Sequence, residues 1–327
     1  DPITGVSIPM PTFMDRNPGD EYASENKLRK AFLRLKMPDF PLHFYVDAQA
    51  VDRNATIQQR FMLDPSSVNK FSQSRDINWN TREATMGINS HLGPVEAELS
   101  HTEKTFSSLV DKTLYDVPSG YTVSVPHNLT PDLKSSTDTI KFHTANSGRF
   151  VAGGTYSSGD KKNEDSGARA DFKNMAGDVS YTPIHYLSFF FKYRHYDIQT
   201  DNPATTTAPN SIGTMEVYNV RDSLSSKRDV FSGMVKYRLT PRIILKAEYT
   251  VDTTEREKLF GPDIFISAVT GTEQNYWDVA RSTTKATTKV GLAYRITNKM
   301  SLRTDYSMMQ VVNPAYAGDP DSVDTLK

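Results

Sequence analysis

Apolar and polar residues alternate along much of the chain. Between Phe231 and Val251, the residues Phe231, Val235, Tyr237, Leu239, Ile243, Leu245, Ala247, Tyr249 and Val251 occupy odd positions. Ser232, Lys236, Arg238, Arg242, Lys246, Glu248, Thr250 and Asp252 occupy even ones. A period of two is that of a β-strand, whose successive side chains point to opposite faces, so one face is greasy and the other charged. The run is interrupted at Thr240-Pro241-Arg242. A three-residue loop there sets Leu239 opposite Ile243 and keeps the faces matched, whereas a two-residue loop would flip one strand.

The same unit recurs. Val290, Leu292, Tyr294 and Ile296 lead through Thr297-Asn298-Lys299 into Met300, Leu302, Thr304 and Tyr306, with Lys289, Arg295, Arg303 and Asp305 on the other face. Val179 and Tyr181 lead through Thr182-Pro183-Ile184 into Leu187, Phe189, Phe191 and Tyr193, with Lys192 and Arg194 opposite. Upstream, Met86, Ile88 and Leu92 turn through Gly93-Pro94 into Val95, Ala97 and Leu99. Ile140, Phe142 and Thr144 turn through Asn146-Ser147-Gly148 into Phe150, Ala152, Gly154 and Tyr156. Strands are also expected near 28–37 and 42–52. Residues 24–37 have a competing helical reading, capped by Ser24 with Leu28, Phe32 and Leu35 on one side. Residues 1–25 show no pattern.

The connections are lopsided. Loops of two or three residues close one end of the hairpins, at 93–94, 146–148, 182–184, 240–242 and 297–299. Polar segments at about 105–137, 157–168, 197–228 and 253–282 join the other end. This asymmetry, with strands of ~10–15 residues, is that of an outer-membrane barrel. Tyr181, Tyr193, Tyr237, Tyr249, Tyr294 and Tyr306 sit on the greasy face near the expected strand ends, as interfacial girdles do. The expected fold is therefore all-β: an antiparallel transmembrane up-and-down β-barrel over residues 28–327, with residues 1–27 as a periplasmic extension or plug. A secreted β-sandwich also alternates, but leaves the one-sided turns unexplained.

Composition is compatible with this. The 327 residues are 37% hydrophobic, low for a large conventional core, yet 10% aromatic, which argues against disorder. Lys plus Arg at 38 and Asp plus Glu at 39 leave a net charge of −1, with no basic excess for nucleic acid. No apolar run approaches the ~18 residues of a membrane helix, which barrel strands do not need. Zero cysteines exclude zinc-thiolate, iron–sulfur and c-type haem attachment in this sequence. The seven histidines (His43, His91, His101, His127, His143, His185 and His195) have no metal-ligand spacing, and His91 is expected to face Glu96 across the Gly93-Pro94 turn. No Walker loop, nucleophile elbow or dinucleotide fingerprint occurs. Nothing nominates catalytic, cofactor-binding or metal residues, so an enzyme is not expected.

If lipid covers the greasy face, the charged face lines a lumen, since Lys or Arg in mid-bilayer costs ~2–4 kcal/mol. The lumen-facing candidates for partner contact are Lys192, Arg194, Lys236, Arg238, Lys246, Glu248, Arg295, Arg303 and Asp305.

Several segments carry a resemblance: Arg34-Leu-Lys-Met-Pro-Asp-Phe-Pro-Leu-His-Phe-Tyr, Asp52-Arg-Asn-Ala-Thr-Ile-Gln-Gln-Arg-Phe, and Arg82-Glu-Ala-Thr-Met-Gly-Ile-Asn before Leu92-Gly-Pro. With Tyr237-Arg-Leu-Thr-Pro, Tyr249-Thr-Val-Asp-Thr-Thr-Glu-Arg and Tyr294-Arg-Ile-Thr-Asn, they span most of 28–311. In these the chain resembles the decahaem-associated outer-membrane β-barrel proteins of the MtrB/PioB type. The resemblance implies a barrel that houses and insulates a periplasmic multihaem c-type cytochrome, meets an extracellular multihaem cytochrome, and carries no haem itself. Two departures stand out. Family members are longer, whereas about 12 to 14 strands are legible here, and the sequence closes on Asp-Ser-Val-Asp-Thr-Leu-Lys rather than a strand with a terminal aromatic, so the barrel is expected to be incomplete at that end. The alternative is a diffusion porin or substrate channel for small polar solutes. Either way the expected location is the bacterial outer membrane, with the lipid bilayer as a partner.

Overall fold

A computed structural model describes residues 13–15, 17–38, 40–62, 70–116, 124–144, 149–209, 214–220, 225–257, 264–266, 273–275, 280–314 and 322–326. The strands, in chain order, are β1 (Phe13–Asp15), β2 (Ala23–Lys36), β3 (Leu42–Met62), β4 (Lys70–Leu92), β5 (Val95–Ser108), β6 (Leu114–Asp116), β7 (Val125–His127), β8 (Leu133–Thr144), β9 (Phe150–Asn163) and β10 (Arg169–Ile184). They continue with β11 (Leu187–Asp201), β12 (Thr205–Pro209), β13 (Met215–Asn219), β14 (Ser226–Thr240), β15 (Ile243–Arg256), β16 (Ile264–Ile266), β17 (Glu273–Asn275), β18 (Ser282–Arg295), β19 (Ser301–Val312) and β20 (Ser322–Leu326).

One sheet of 14 strands dominates. Its path runs β2-β3-β4-β5-β8-β9-β10-β11-β14-β15-β18-β19-β20, every neighbour antiparallel, and β1 adds to β4 in parallel. The remaining strands form the small ribbons β6–β7, β12–β13 and β16–β17 within the long connections. Residues 24–37 are strand, not helix: β2 pairs along its whole length with β3, from Ala23 opposite Thr56 to Lys36 opposite His43.

The register explains the two faces. Phe189, Val235, Ala247, Val290 and Tyr306 lie directly opposite one another across β11, β14, β15, β18 and β19. One residue along, Ser188, Lys236, Lys246, Gly291 and Asp305 form the neighbouring row on the other face.

The greasy face has no protein over it. Leu33 is 57% exposed, Met86 59% and Val290 51%. Among the described residues, the only buried hydrophobic side chains are Ile77 and Val311. A sandwich would bury one face of each sheet against the other, so this sheet is a single layer whose apolar side requires lipid. The accessible surface of 22582 Å² agrees, against roughly 13,500 Å² for a globular chain of this mass. The chain is an antiparallel transmembrane β-barrel.

Two turns differ in detail from expectation. The β10–β11 turn falls at His185-Tyr186, not 182–184; Thr182-Pro183-Ile184 belongs to β10, where the register shifts between Tyr181 and Ile184. Pro183 is tolerated there because a bulge asks for no ladder donor. At the β14–β15 turn, Arg238 opposes Ile244 but Thr240 opposes Ile243, so Leu239 is a one-residue bulge beside a two-residue loop. Ile243 thus faces Thr240 instead of Leu239, while Tyr237 still faces Leu245 and the faces stay matched. The β4–β5 turn closes as expected, Leu92 opposite Val95 with Gly93 at φ 62°. The turn expected at 146–148 lies outside the described residues.

The long connections begin later than expected. Strands continue to Ser108, Asn163, Asp201 and Arg256 rather than ending near 105, 157, 197 and 253, and the link between β9 and β10 is only residues 164–168. On these extensions the outer face turns polar. On β14, Phe231 gives way to Asp229 and Lys227; on β11, Tyr193 gives way to His195 and Asp197. Tyr193, Tyr249 and Tyr306 are therefore a girdle at mid-strand, while Tyr181, Tyr237 and Tyr294 mark the tight-turn end. With this band between its girdles, the barrel sits in the bacterial outer membrane, tight turns to the periplasm and long connections outside.

Candidate functional site

The polar face of the sheet is the lumen wall, and the register places all nine sequence candidates on it. Lys192 opposes Ser232, Arg194 opposes Val230, and Met234 opposes Glu248. Lys236 and Lys246 stand directly opposite each other, Gly291 opposes both Lys246 and Asp305, Ala293 opposes Arg303, and Arg295 opposes Ser301. Lys289 joins them opposite Glu248.

Few of these charges are neutralised. Arg303 Nε donates to Asp305 Oδ2 at 2.7 Å, and Lys246 Nζ lies 3.6 Å from Glu248 Oε2. Lys192, Arg194, Lys236, Arg238, Lys289 and Arg295 make no ion pair among the described residues. Over β10–β19, Lys192, Arg194, Lys236, Arg238, Lys246, Lys289, Arg295 and Arg303 share the wall with Asp178, Glu248 and Asp305, while Asp252, in the Arg194 row, is taken by Arg228. That leaves eight cations against three carboxylates. Gly291 opens a notch in this wall: the Asp305 carboxylate leans to within 2.6 Å of where a Cβ on residue 291 would be. Lys246, Glu248, Lys289, Arg303 and Asp305 border the resulting cavity of about 440 Å³.

The wall made by β3, β4, β5 and β8 is different, and sequence reading singled out little of it. The Tyr45 hydroxyl donates to Glu98 Oε1 at 2.8 Å, and Lys141 Nζ reaches the same oxygen at 3.3 Å. The Tyr45 ring lies flat over Gly87, occupying the space a side chain there would need. Glu96 is held by two histidines, His91 Nδ1 at 2.9 Å and His143 Nε2 at 2.9 Å. Glu83 takes Lys104 at 3.0 Å. The His91–Glu96 pair is the one expected from the short turn. His143 and Lys141 were not anticipated, because β8 reaches β5 only after a connection of more than twenty residues, across which no register can be read.

Outside the membrane, two connections are tied together. Lys112 Nζ bonds Asp132 Oδ2 at 2.8 Å and Asp165 Oδ1 at 2.8 Å, and the Asp132 amide donates to Asp165 Oδ2 at 2.6 Å. These bonds hold the Lys112 ammonium above its usual range and the Asp165 carboxyl below its own. Arg75, buried on the β4 extension, donates to the carbonyls of Asn128 at 2.8 Å and Lys112 at 2.6 Å, pinning the same connection from below.

The sequence matches no protein-family model, and no curated protein matches it. Solved structures with a similar chain path include the ferric-catecholate import receptor Fiu of E. coli K12, open form, at 14% identity and TM-score 0.48, over 88% of this chain and 54% of that one. The outer-membrane channel DcaP of Acinetobacter baumannii is 9% identical with TM-score 0.37, over 93% of this chain and 94% of that one. OmpT of Vibrio cholerae is 9% identical with TM-score 0.34, over 84% and 95%. The chain thus spans about half the length of Fiu.

Proposed function

We propose that this chain builds the sheath of a transmembrane electron conduit, a barrel that encloses a multihaem c-type cytochrome and keeps lipid away from its haems. The observation carrying this reading is the excess of unpaired cations on the β10–β19 wall. A charge left without a partner in the wall is available to an acidic occupant, and rows of such charges along neighbouring strands suit an acidic protein surface. The resemblance adds to it: of its segments, 34–36 on β2, 43–45 on β3 and 87–89 on β4 lie side by side, and 52–61 continues along β3. The occupying cytochrome, and a second one meeting the extracellular loops, would carry all the haem.

Width favours a second reading. Thirteen strands in the path, spaced ~4.8 Å and tilted ~40°, would close on their own to a backbone diameter of about 26 Å. Side chains would leave a bore of roughly 16 Å, whereas even a 100-residue domain has a radius of gyration near 13 Å. That bore suits a diffusion channel for small polar solutes, with the cationic wall favouring anions. The sheath reading requires these strands to belong to a wider ring.

Purification in mild detergent from the native membrane separates the two. A stoichiometric complex absorbing at haem wavelengths supports the sheath. A haem-free barrel that conducts anions in liposomes without any cytochrome overturns it and supports the channel.

A further inference from the structure

We propose that the outer face of β2–β4 holds a phosphorylated lipid of the outer leaflet, gripped at its phosphate by Arg29 and Arg82. The site follows from three rows of directly opposed residues. The top row is Arg29, Ala50 and Arg82; the next is Ala31, Ala48 and Ala84; the third is Leu33, Val46 and Met86. Two guanidiniums therefore stand two strands apart, ~9.6 Å between their backbones, with only a methyl group between them. They mark the level at which the outer face of β2 and β4 changes from apolar to charged, which is where a lipid headgroup meets its chains.

The short alanines leave a hollow. Arg29, Ala31, Ala48, Ala50, Arg82 and Ala84 border a cavity of about 480 Å³ on this side. Below it, exposed Leu33, Val46 and Met86 supply the apolar surface that acyl chains cover. Acidic neighbours are already engaged. Asp52 bonds the Arg29 guanidinium and the Asn80 amide, and Glu103, opposite Ala84, is bonded by His101 at 3.0 Å. Arg82 has no partner among the described residues. Its planar, doubly donating head matches a phosphate, and Arg29, fixed by Asp52, supplies a second donor fork. A free phosphate would engage the arginines alone, at an open site. A lipid engages arginines, alanine hollow and apolar row together, and the geometry points to that source.

The test uses the full chain in phosphatidylcholine bilayers containing a tenth part of a phosphorylated, acylated disaccharide lipid, then extracted in mild detergent, with retained lipid counted by native mass spectrometry. The wild-type chain should retain the phosphorylated lipid. Arg29→Ala/Arg82→Ala should lower retention about tenfold or more, and Arg82→Lys should fall between, since a lysine keeps charge but not the fork. Lys173→Ala, which removes a cation of the outer face on β10, should behave as wild type. Arg82→Lys alone decides the matter if the double variant fails to fold. Retention unchanged in Arg82→Lys and the double variant, or lost equally in Lys173→Ala, overturns the proposal. So does displacement of the lipid by millimolar inorganic phosphate, which would mean that the arginines bind a bare anion.

Discussion

The two polar walls of this barrel are built from the same residue types and solve different problems. On β3–β8 every carboxylate at membrane height named above has a donor: Glu98 has Tyr45 and Lys141, Glu96 has His91 and His143, Glu83 has Lys104. On β10–β19 cations outnumber carboxylates, and Lys236 and Lys246 stand directly opposite each other. Like charges in that position destabilise a sheet. A wall that only needed solvation could have been balanced like the first. The difference teaches that charge pairing is a local choice along one continuous sheet, and that the unbalanced side leaves most of its cations without a partner in the wall.

The comparison presumes that lipid lies behind both walls, and this is where the largest effect is expected. Val235→Arg, behind the cationic wall, and Leu99→Arg, behind the balanced one, should each cost ~2–4 kcal/mol of unfolding free energy in a bilayer. A cost at one site and none at the other would mean that the two walls do not share a lipid-facing back. Next comes the balanced wall itself. Gly87→Ala places a methyl where the Tyr45 ring now lies, at 2.5 Å. Tyr45 must swing away and release Glu98, so a loss of about 1–3 kcal/mol is expected in denaturant unfolding. If Tyr45→Phe in the same assay costs as much as Gly87→Ala, the hydroxyl bond rather than packing carries the effect.

The cationic wall should respond with the opposite sign. Lys236→Glu converts a facing like-charge pair into an opposite one and should stabilise the isolated barrel by about 0.2–1 kcal/mol. The same change should weaken retention of an acidic occupant or shift the reversal potential in liposomes toward cations. Stabilisation without either functional change would reduce the cation excess to a solvated surface.

Much of this was legible in the chain and some was not, for identifiable reasons. Alternation revealed the strands and set all nine lumen candidates on one face of the sheet, because parity along a strand needs no knowledge of its neighbour. It failed at Asn163, Asp201 and Arg256, where strands continue past the expected ends. There the outer face has left lipid and becomes polar, so alternation vanishes while the hydrogen-bonded ladder does not. Thr182-Pro183-Ile184 carried the better turn chemistry than His185-Tyr186, and a bulge absorbed the proline. Part of the balanced wall stayed hidden because the bonds of Lys141 and His143 join β8 to β5, whose register is set across a long connection.

The smallest effect concerns the extracellular tie between the two connections, far from both walls. Lys112 is raised by its bonds to Asp132 and Asp165; Asp165 is lowered by Lys112 and by the Asp132 amide. A carboxyl lowered in the folded state contributes stability above its unfolded value of ~3.9 and loses it as pH falls through the lowered folded value. An ammonium raised in the folded state contributes below its unfolded value of ~10.4 and loses it as pH rises through the raised folded value. The tie should therefore be flat between about pH 5 and 9 and loosen only outside that window. A spin label at Ala168 should report constant mobility across the window, gain mobility below about pH 4, and be mobile at every pH in Lys112→Met. Because these groups are open to water, Lys112→Met should leave global unfolding unchanged. A mobility change centred near pH 6 to 7, between the lowered Asp165 and the raised Lys112, would overturn the assignment of the tie to these two groups.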